Sequence, residues 1–182
     1  ITSQDVDVLF SIVMEDATAQ GVGFYVRQNG GHLDLTNPPG QGYAIFVEGT
    51  FRGVPGVGLW RESNGNEIQL FHSGASVAAP QSGIRYRVRF RVSQVDATST
   101  RLQGRFWPET GPEPAAWQVE FLDTTPALQA ISGEIAVDSW SDATPPTMIT
   151  AHTRVDDIEV RGVCPPSGLT PTIRREPSSS PQ

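Results

Sequence analysis

The sequence alternates apolar and polar residues at every second position in one short segment after another. The first such segment runs from residue 5 to residue 14, and its apolar residues are Val6, Val8, Phe10, Ile12 and Met14. A period of two places successive side chains on opposite faces of a β-strand, so each segment predicts a strand with one buried face. About ten such strands, separated by turns, indicate an all-β fold, namely a two-sheet antiparallel β-sandwich or jelly roll.

The composition supports this fold class and limits the number of domains. With 182 residues the chain is long enough for one domain of ordinary size. Its 18 glycines and 15 prolines are more than a helical bundle tolerates. We therefore expect one sandwich domain over residues 1–163. The predicted strands are residues 5–14, 22–26, 32–35, 43–48, 57–61, 68–71, 85–93, 100–107, 117–121, 134–138 and 153–161.

The end of the chain has a different composition. Residues 164–182 are rich in proline and serine and contain hardly any apolar residue. Such a segment cannot bury enough apolar surface to offset the entropy lost on ordering, so we predict a linker or an arm that docks on another subunit.

Cys164 is the only cysteine, which excludes an internal disulfide and a cysteine-based zinc site. At the other end, Ile1 stands without a methionine, and we expect either a removed leader or a piece of a longer polypeptide.

The net charge restricts the partners of the chain. The formal charge is -7 at pH 7. A general affinity for nucleic acid or for anionic lipid requires surplus positive charge, so neither partner is expected. No apolar run approaches the ~20 residues of a membrane span, so membrane insertion is not expected either.

One predicted strand carries arginine at every second position. Because its apolar residues face the core, its arginines share the opposite face with residues of the next strand. These outward residues are Arg85, Arg87, Arg89, Arg91, Arg101, Arg105 and Trp107. Guanidinium groups beside an aromatic ring suit a ligand that offers carboxylates and an apolar face, such as an acidic sugar. The candidate ligand-binding residues are Arg87, Arg89, Arg105 and Trp107.

A competing interpretation assigns the same arginines a structural role. Glu120, Glu134 and Asp138 point outward on later predicted strands. If those strands lie beside the arginine-rich ones, cross-strand ion pairs neutralise the guanidinium groups. We favour this paired state for most of the row, with Arg105 and Trp107 as the exceptions.

Tryptophans mark further candidate positions. Trp107 and Trp117 flank a proline-rich connection, which we expect to be rigid because proline fixes φ and removes ladder donors. Trp117 has the parity of the apolar residues and is predicted to be in the core. Trp107, Trp60 and Trp140 lie at predicted strand ends or in loops, where an exposed indole is able to stack on a sugar.

Asp156 is the one candidate metal ligand. It has the same parity as Ile158 and Val160, which predicts that it points toward the core at the start of the last strand. An inward carboxylate needs hydrogen-bond donors or a cation. Two alternatives stay open, a structural Ca²⁺ ion and backbone N–H groups of a neighbouring turn.

No catalytic pattern is apparent in the sequence. The histidines, His32, His72 and His152, have no metal-ligand spacing, and the glycine-rich stretches precede no helix that could bind phosphate. No strand supplies the paired carboxylates of a glycoside hydrolase. We therefore predict a non-catalytic protein.

Residues 86–92, 100–108, 113–120 and 155–160 together resemble the concanavalin A-like (laminin G-like) lectin and glucanase jelly rolls. The likeness is greatest to modules of minor tail proteins of actinobacterial phages and of some secreted bacterial proteins. It implies a jelly roll whose concave face or rim loops often bind glycans, and a structural Ca²⁺ at the position of Asp156. The acidic motif of the glucanases, Glu-x-Asp-x-x-Glu, is absent, so the resemblance implies no hydrolase activity.

Three functional hypotheses follow from the residues and the resemblance. The first is a phage virion surface or tail module, joined to other subunits through the C-terminal tail and weakly adhesive to host glycans. The second is a lectin-like carbohydrate-binding module of a secreted, extracellular bacterial protein. The third is a scaffolding jelly roll without a ligand.

The tail hypothesis predicts the effect of a truncation. Deleting residues 165–182 should leave the Tm of the isolated protein nearly unchanged, because a segment outside the sandwich contributes little buried apolar area. Differential scanning calorimetry of both chains tests this, and a large fall in Tm would contradict it.

Overall fold

Two antiparallel sheets of five strands each face one another. The structure is a computed structural model, and it describes residues 3–31, 37–50, 53–141 and 151–163. The strands in chain order are β1 (Val6–Met14), β2 (Gln20–Gln28), β3 (Gly42–Glu48), β4 (Gly56–Ser63), β5 (Asn66–His72), β6 (Arg85–Asp96), β7 (Ser99–Pro108), β8 (Val119–Asp123), β9 (Glu134–Ser141) and β10 (Thr153–Gly162). The predicted all-β sandwich is confirmed.

The order of the strands in each sheet differs from their order along the chain. The first sheet has the order β10-β1-β6-β7-β8, and the second sheet has the order β5-β4-β3-β2-β9. Some hydrogen-bonded neighbours are therefore far apart in sequence, since β1 pairs with β10 and β2 pairs with β9. These long-range pairs decide which outward side chains lie next to one another.

The core fills the space between the two sheets. The alternating apolar residues of β1 all belong to it, as the sequence predicted, and Phe10 stacks on Phe24 of β2 with ring centroids 4.6 Å apart. Gly104 of β7 is needed for close approach, because a Cβ there would lie 2.6 Å from the Cδ1 atom of Ile45. Burial of these side chains at roughly 25 cal/mol per Å² is the main force that holds the sheets together.

The side chain of Arg27 is buried between the sheets. It is 0% exposed. Its Nε donates to the carbonyl of Gln4 at 2.7 Å, and its Nη1 donates to the hydroxyl of Thr100 at 3.0 Å and to the carbonyl of Leu128 at 2.8 Å. The carboxylate of Asp5 lies 3.4 Å from Nη2. Because Arg27 belongs to β2 and Thr100 to β7, this guanidinium links the two sheets.

A β-bulge explains why a charged residue lies inside. Arg27 has a φ of 55°, and the register between β2 and β9 shifts between Tyr25 and Gln28. The extra residue breaks the alternation, so Arg27 follows Val26 into the interior instead of facing out. Burial lowers the pKa of the Arg27 guanidinium, but an arginine begins so high that it stays charged.

Most predicted strands agree with the structure, and β8 differs. It covers Val119–Asp123, whereas the sequence predicted residues 117–121. The side-chain Oε1 of Gln118 accepts the backbone N–H of Phe106 at 2.6 Å, so Gln118 holds the connection before the ladder begins. The predicted strand 32–35 and the tail 164–182, with Cys164, lie outside the described residues. Within the described ranges, no helix is long and apolar enough to cross a membrane.

The buried guanidinium generates a stability prediction. Arg27→Met should lower the free energy of unfolding by about 3 kcal/mol, because the buried Leu128 carbonyl, the partly buried Gln4 carbonyl and the Asp5 carboxylate lose their donor. Urea unfolding measures the change. The control is Arg161→Met, whose side chain is 67% exposed, and it should change stability by less than about 0.5 kcal/mol. Equal losses in both variants would contradict a special role for Arg27.

Candidate functional site

The outer face of the first sheet, called here the arginine face, carries the predicted arginine rows in ion pairs. Arg85 contacts Glu109 at 3.1 Å and Asp157 at 2.7 Å. Arg87 lies 3.4 Å from Asp157 and donates to the Ser11 hydroxyl at 2.9 Å. These arginines are therefore engaged by carboxylates of their own chain.

Two carboxylates hold the middle of the arginine face. Asp7, which alternates with core residues of β1, binds Arg89 at 2.9 Å and Arg91 at 2.5 Å. Glu113 of the proline-rich connection binds Arg89 at 2.8 Å and Arg105 at 2.5 Å. The arginines thus hold the connection 109–118 against the sheet. The paired interpretation is the one that the structure shows for these residues.

The predicted acidic partners were mostly wrong. Glu120 lies 3.9 Å from Arg101, but Glu134 and Asp138 belong to β9 in the other sheet. Alternation along a strand shows which residues face outward, but it does not show which sheet the strand joins. The actual partners come from β1, β10 and the connection after β7.

The two tryptophans that flank the connection both differ from the prediction. Trp107 was expected to be exposed but is buried, and Trp117 was expected in the core but lies outside it. Trp107 is only 8% exposed and lies beside Pro114 in a groove, so it offers little surface to a ligand. Trp117 is outside the core, and the guanidinium of Arg105 lies 4.0 Å from its ring centroid. The core prediction for Trp117 was wrong because β8 begins only at Val119, so the parity of the strand does not apply to residue 117.

The predicted inward orientation of Asp156 was also wrong. Its side chain is 52% exposed and lies 3.2 Å from Arg85. Asp157 has a φ of 50°, and the register with β1 shifts at this point, so a bulge separates Asp156 from the parity of Val160. The described residues contain no cluster of three or more His, Cys, Asp or Glu side chains able to hold a metal ion. Calcium binding stays a prediction, and the contacts of Asp156 do not favour it.

The outer face of the second sheet carries an aromatic cluster, which we define as Tyr25, Phe46, Trp60 and Trp140. Phe46 lies at its centre, with ring centroids 5.1 Å from Trp60, 5.0 Å from Trp140 and 5.6 Å from Tyr25. Tyr25 and Phe46 are buried, whereas both indoles are partly exposed. Trp60 and Trp140, two of the candidates singled out in the sequence, are therefore brought together on one surface.

Glycines on the strands let the indoles approach the sheet closely. A Cβ on Gly58 would lie 2.6 Å from Nε1 of Trp60, and a Cβ on Gly21 would lie 2.4 Å from the Trp140 ring. Side chains at these two positions would push the rings away from the strands. Glycine in the interior of a strand otherwise weakens it, so its presence here marks a close approach.

A pocket of about 370 Å³ opens beside the aromatic cluster, and we call it the Trp60 pocket. It is lined by Glu48, Val54, Trp60, Gln69 and His72. Glu48 is 2% exposed, and its Oε2 lies 3.8 Å from Nε2 of His72. The pocket thus combines an indole, a carboxylate, an amide and an imidazole on one open surface.

The protonation of His72 follows from its contacts. Nδ1 accepts the backbone N–H of Gly74 at 2.9 Å, and burial lowers the pKa of the imidazole. A neutral imidazole whose Nδ1 accepts carries its hydrogen on Nε2. Nε2 of His72 and Nε1 of Trp60 are buried atoms without a hydrogen-bond partner among the described residues. The pocket therefore contains two unused N–H donors.

The polar residues of the Trp60 pocket were missed in the sequence. The spacing of His72 indicated no metal ligand, and neither Glu48 nor Gln69 was singled out. A signal was present, because Glu48 has the outward parity of Phe46 on β3 and the glycine pair Gly56 and Gly58 interrupts β4. The sequence did not show that β3, β4 and β5 lie side by side in one sheet.

Comparisons with known proteins find no relative by sequence. No protein-family model matches the chain, and no curated protein matches it significantly. Among solved structures, the chain is similar to CG-16, a homodimeric agglutinin from chicken liver. The two are 14% identical, the likeness covers 88% of this chain and 95% of that chain, and the TM-score is 0.46.

The ion pairs of Glu113, which hold the connection 109–118 against the sheet, predict that stability depends on pH. Burial alone would raise the pKa of Glu113, but hydrogen bonds from Arg105 and Arg89 outweigh it and lower the pKa below the ordinary value. A depressed folded-state pKa stabilises the fold above the unfolded pKa, and the contribution is lost as the pH falls through the folded pKa. Glu113→Gln should lower the free energy of unfolding by about 1 kcal/mol at pH ~7, and by less at pH ~3.

Urea unfolding at several pH values measures the difference between the wild type and Glu113→Gln. The control is Glu159→Gln, which removes a 47% exposed carboxylate whose ion-pair partner among the described residues is the exposed Arg161, and it should be nearly silent. A loss that does not change with pH would show that the ion pairs of Glu113 contribute nothing to stability.

Proposed function

We propose that the outer face of the second sheet binds carbohydrate at the Trp60 pocket. The observation that carries this proposal is the aromatic cluster packed close against the strands, with polar side chains of neighbouring strands lining the pocket beside it. A sugar ring has an apolar face of C–H groups and an edge of hydroxyls, so it needs an aromatic surface and hydrogen-bonding groups at once. Trp60 supplies the surface, and Glu48, Gln69 and His72 supply the polar groups.

The arginine face is the weaker candidate for the same activity. Its guanidinium groups are engaged by carboxylates of the chain, and Trp107 is buried. A ligand there would have to displace ion pairs before it gained any contact. Nε of Arg89 and Nε of Arg105 are also buried without a hydrogen-bond partner among the described residues, so it is the ion pairs, and not a lack of donors, that disfavour the arginine face.

The setting of this binding module rests on the resemblance of the sequence. A sugar-binding face serves a phage virion surface or tail module that adheres to host glycans, and equally a secreted bacterial protein. In either setting the C-terminal tail 164–182 would join the module to further subunits or domains. The proposal is of binding without catalysis.

A substitution in the pocket tests the proposal. Trp60→Ala should weaken binding to the best ligand of a glycan array by at least ~10-fold, equivalent to about 1.4 kcal/mol, because the stacking surface is lost. Trp117→Ala is the matched control, since it removes an indole from the opposite face, and it should bind like the wild type. Isothermal titration calorimetry gives the affinities, and circular dichroism checks the fold.

Two results would refute the proposal. One is a wild-type protein that binds no glycan on the array. The other is loss of binding in Trp117→Ala with retention in Trp60→Ala, which would return the site to the arginine face.

A further inference from the structure

Two further pockets adjoin the Trp60 pocket, and their position bears on the length of the ligand. We propose that the three pockets form one extended groove and that this groove binds a linear, uncharged oligosaccharide of several sugar units. The groove runs from Trp60 on the second sheet, over one end of the sandwich, to Trp107 on the first sheet. This inference rests on the proposed carbohydrate binding at the Trp60 pocket.

Shared walls place the three pockets in a row, and we call the two further ones the middle pocket and the rim pocket. The middle pocket, of about 420 Å³, is lined by residues of the loops 53–55 and 74–79, and it shares Val54 with the Trp60 pocket. The rim pocket, of about 480 Å³, shares residues 77–79 with the middle pocket and extends to Trp107. Each pocket has the volume of a small-molecule site, so the row has room for more than one sugar unit.

The order of the strands explains why the row crosses from one sheet to the other. β5 of the second sheet ends at His72, and β6 of the first sheet begins at Arg85. Residues 73–84 join these strands, and we call them the β5–β6 connection. It supplies walls to both the middle pocket and the rim pocket. A single connection thus carries the groove from the second sheet to the first.

Hydrogen bonds hold the β5–β6 connection in place near both of its ends. The backbone N–H of Val57 donates to Oγ of Ser73 at 3.0 Å, and the backbone N–H of Gly83 donates to the carbonyl of Met14 at 2.8 Å. In the middle, Val77 is only 5% exposed and belongs to the core. Walls that are already fixed lose little conformational entropy when a ligand binds, so the groove is suited to binding an extended chain.

The walls of the middle and rim pockets combine apolar surface with uncharged polar groups. Val54 is 54% exposed and Ile84 is 41% exposed, so both leave apolar surface for a ligand to cover. Thr110 and Gln118 add a hydroxyl and an amide to the rim pocket. None of the described residues that line these two pockets is charged. These walls therefore match the C–H faces and hydroxyls of an uncharged sugar chain better than they match a charged polymer.

A linked chain gains affinity from the two further pockets in a way that a single sugar does not. Once one unit of the chain stacks on Trp60, the following units are held close to the middle and rim pockets. Their contacts then form without a further loss of translational freedom. Affinity should therefore rise with the length of the chain.

The experiment measures the affinity of the full chain for sugars of increasing length. The probes are linear oligosaccharides of glucose, of galactose and of N-acetylglucosamine, each from the disaccharide to the hexasaccharide. Isothermal titration calorimetry gives the affinities. In the series that binds best, the wild type should bind the hexasaccharide at least ~10-fold more tightly than the disaccharide, because only the longer chain covers the middle and rim pockets.

A first pair of variants removes apolar surface inside and outside the groove. Ile84→Ala shortens a wall of the rim pocket, and Leu122→Ala shortens a 48% exposed side chain of β8 that does not line the groove. Ile84→Ala should lower the affinity for the hexasaccharide about 3-fold and leave the affinity for the disaccharide unchanged, because the disaccharide does not reach the rim pocket. Leu122→Ala should bind both sugars like the wild type.

A second pair of variants adds bulk. Ala78→Leu places a larger side chain where the middle and rim pockets meet, and Ala116→Leu makes the same change in the connection 109–118, away from the groove. Ala78→Leu should lower the affinity for the hexasaccharide to that for the disaccharide, whereas Ala116→Leu should keep the gain with length. Both alanines are exposed, so both variants should fold.

The results that overturn the extended groove differ from those that overturn carbohydrate binding. Equal affinity of the wild type for disaccharide and hexasaccharide overturns the groove but leaves the Trp60 pocket as a sugar site. A gain with length that survives in both Ala78→Leu and Ile84→Ala shows that the chain leaves the Trp60 pocket in another direction. A gain that appears only after residues 165–182 are deleted would assign the groove to the proline-rich tail instead of a sugar. Absence of binding to every probe overturns the proposed function and the groove together.

Discussion

The apolar layer between the two sheets is the constraint on which the rest of this structure depends. Phe10 of β1 stacks on Phe24 of β2, and alternating residues of the other inner strands pack around them. Because successive side chains of a strand point to opposite faces, filling this layer also decides which residues point outward. Asp7 faces outward because Val6 and Val8 are inside. The chemistry of both outer faces is thus a consequence of core packing.

The two sheets use their outward residues in different ways. On the first sheet, arginines pair with carboxylates from β1, β10 and the proline-rich connection, so most of the polar groups satisfy one another. On the second sheet, Trp60 and Trp140 lie over glycines, and an open pocket forms beside them. Buried donors without a hydrogen-bond partner among the described residues occur on both faces, namely Nε1 of Trp60 and Nε2 of His72 on the second sheet and Nε of Arg89 and of Arg105 on the first. Side chains that already pair with each other gain less free energy from a ligand, because their existing contacts must first be broken.

Two of the bulges in these strands change the position of a charge. At Arg27 the extra residue turns a guanidinium into the interior, where Gln4, Thr100 and Leu128 accept its hydrogen bonds. At Asp157 the extra residue leaves both aspartates of β10 on the arginine face beside Arg85. One residue inserted in a strand is enough to reverse which face a side chain occupies.

The amino-acid sequence by itself determined the fold class, the inward residues of most strands and the row of arginines on one face. It also identified Trp60 and Trp140 as candidates for stacking on a sugar. Each of these follows from the local geometry of an extended chain, which repeats every two residues. Only the tertiary structure decided that Glu134 and Asp138 lie in the other sheet, that Trp117 rather than Trp107 stacks on an arginine, and that Glu48, Gln69 and His72 meet beside Trp60. The reason is physical: strand pairing and bulges depend on how the whole core packs, and no single strand carries that information.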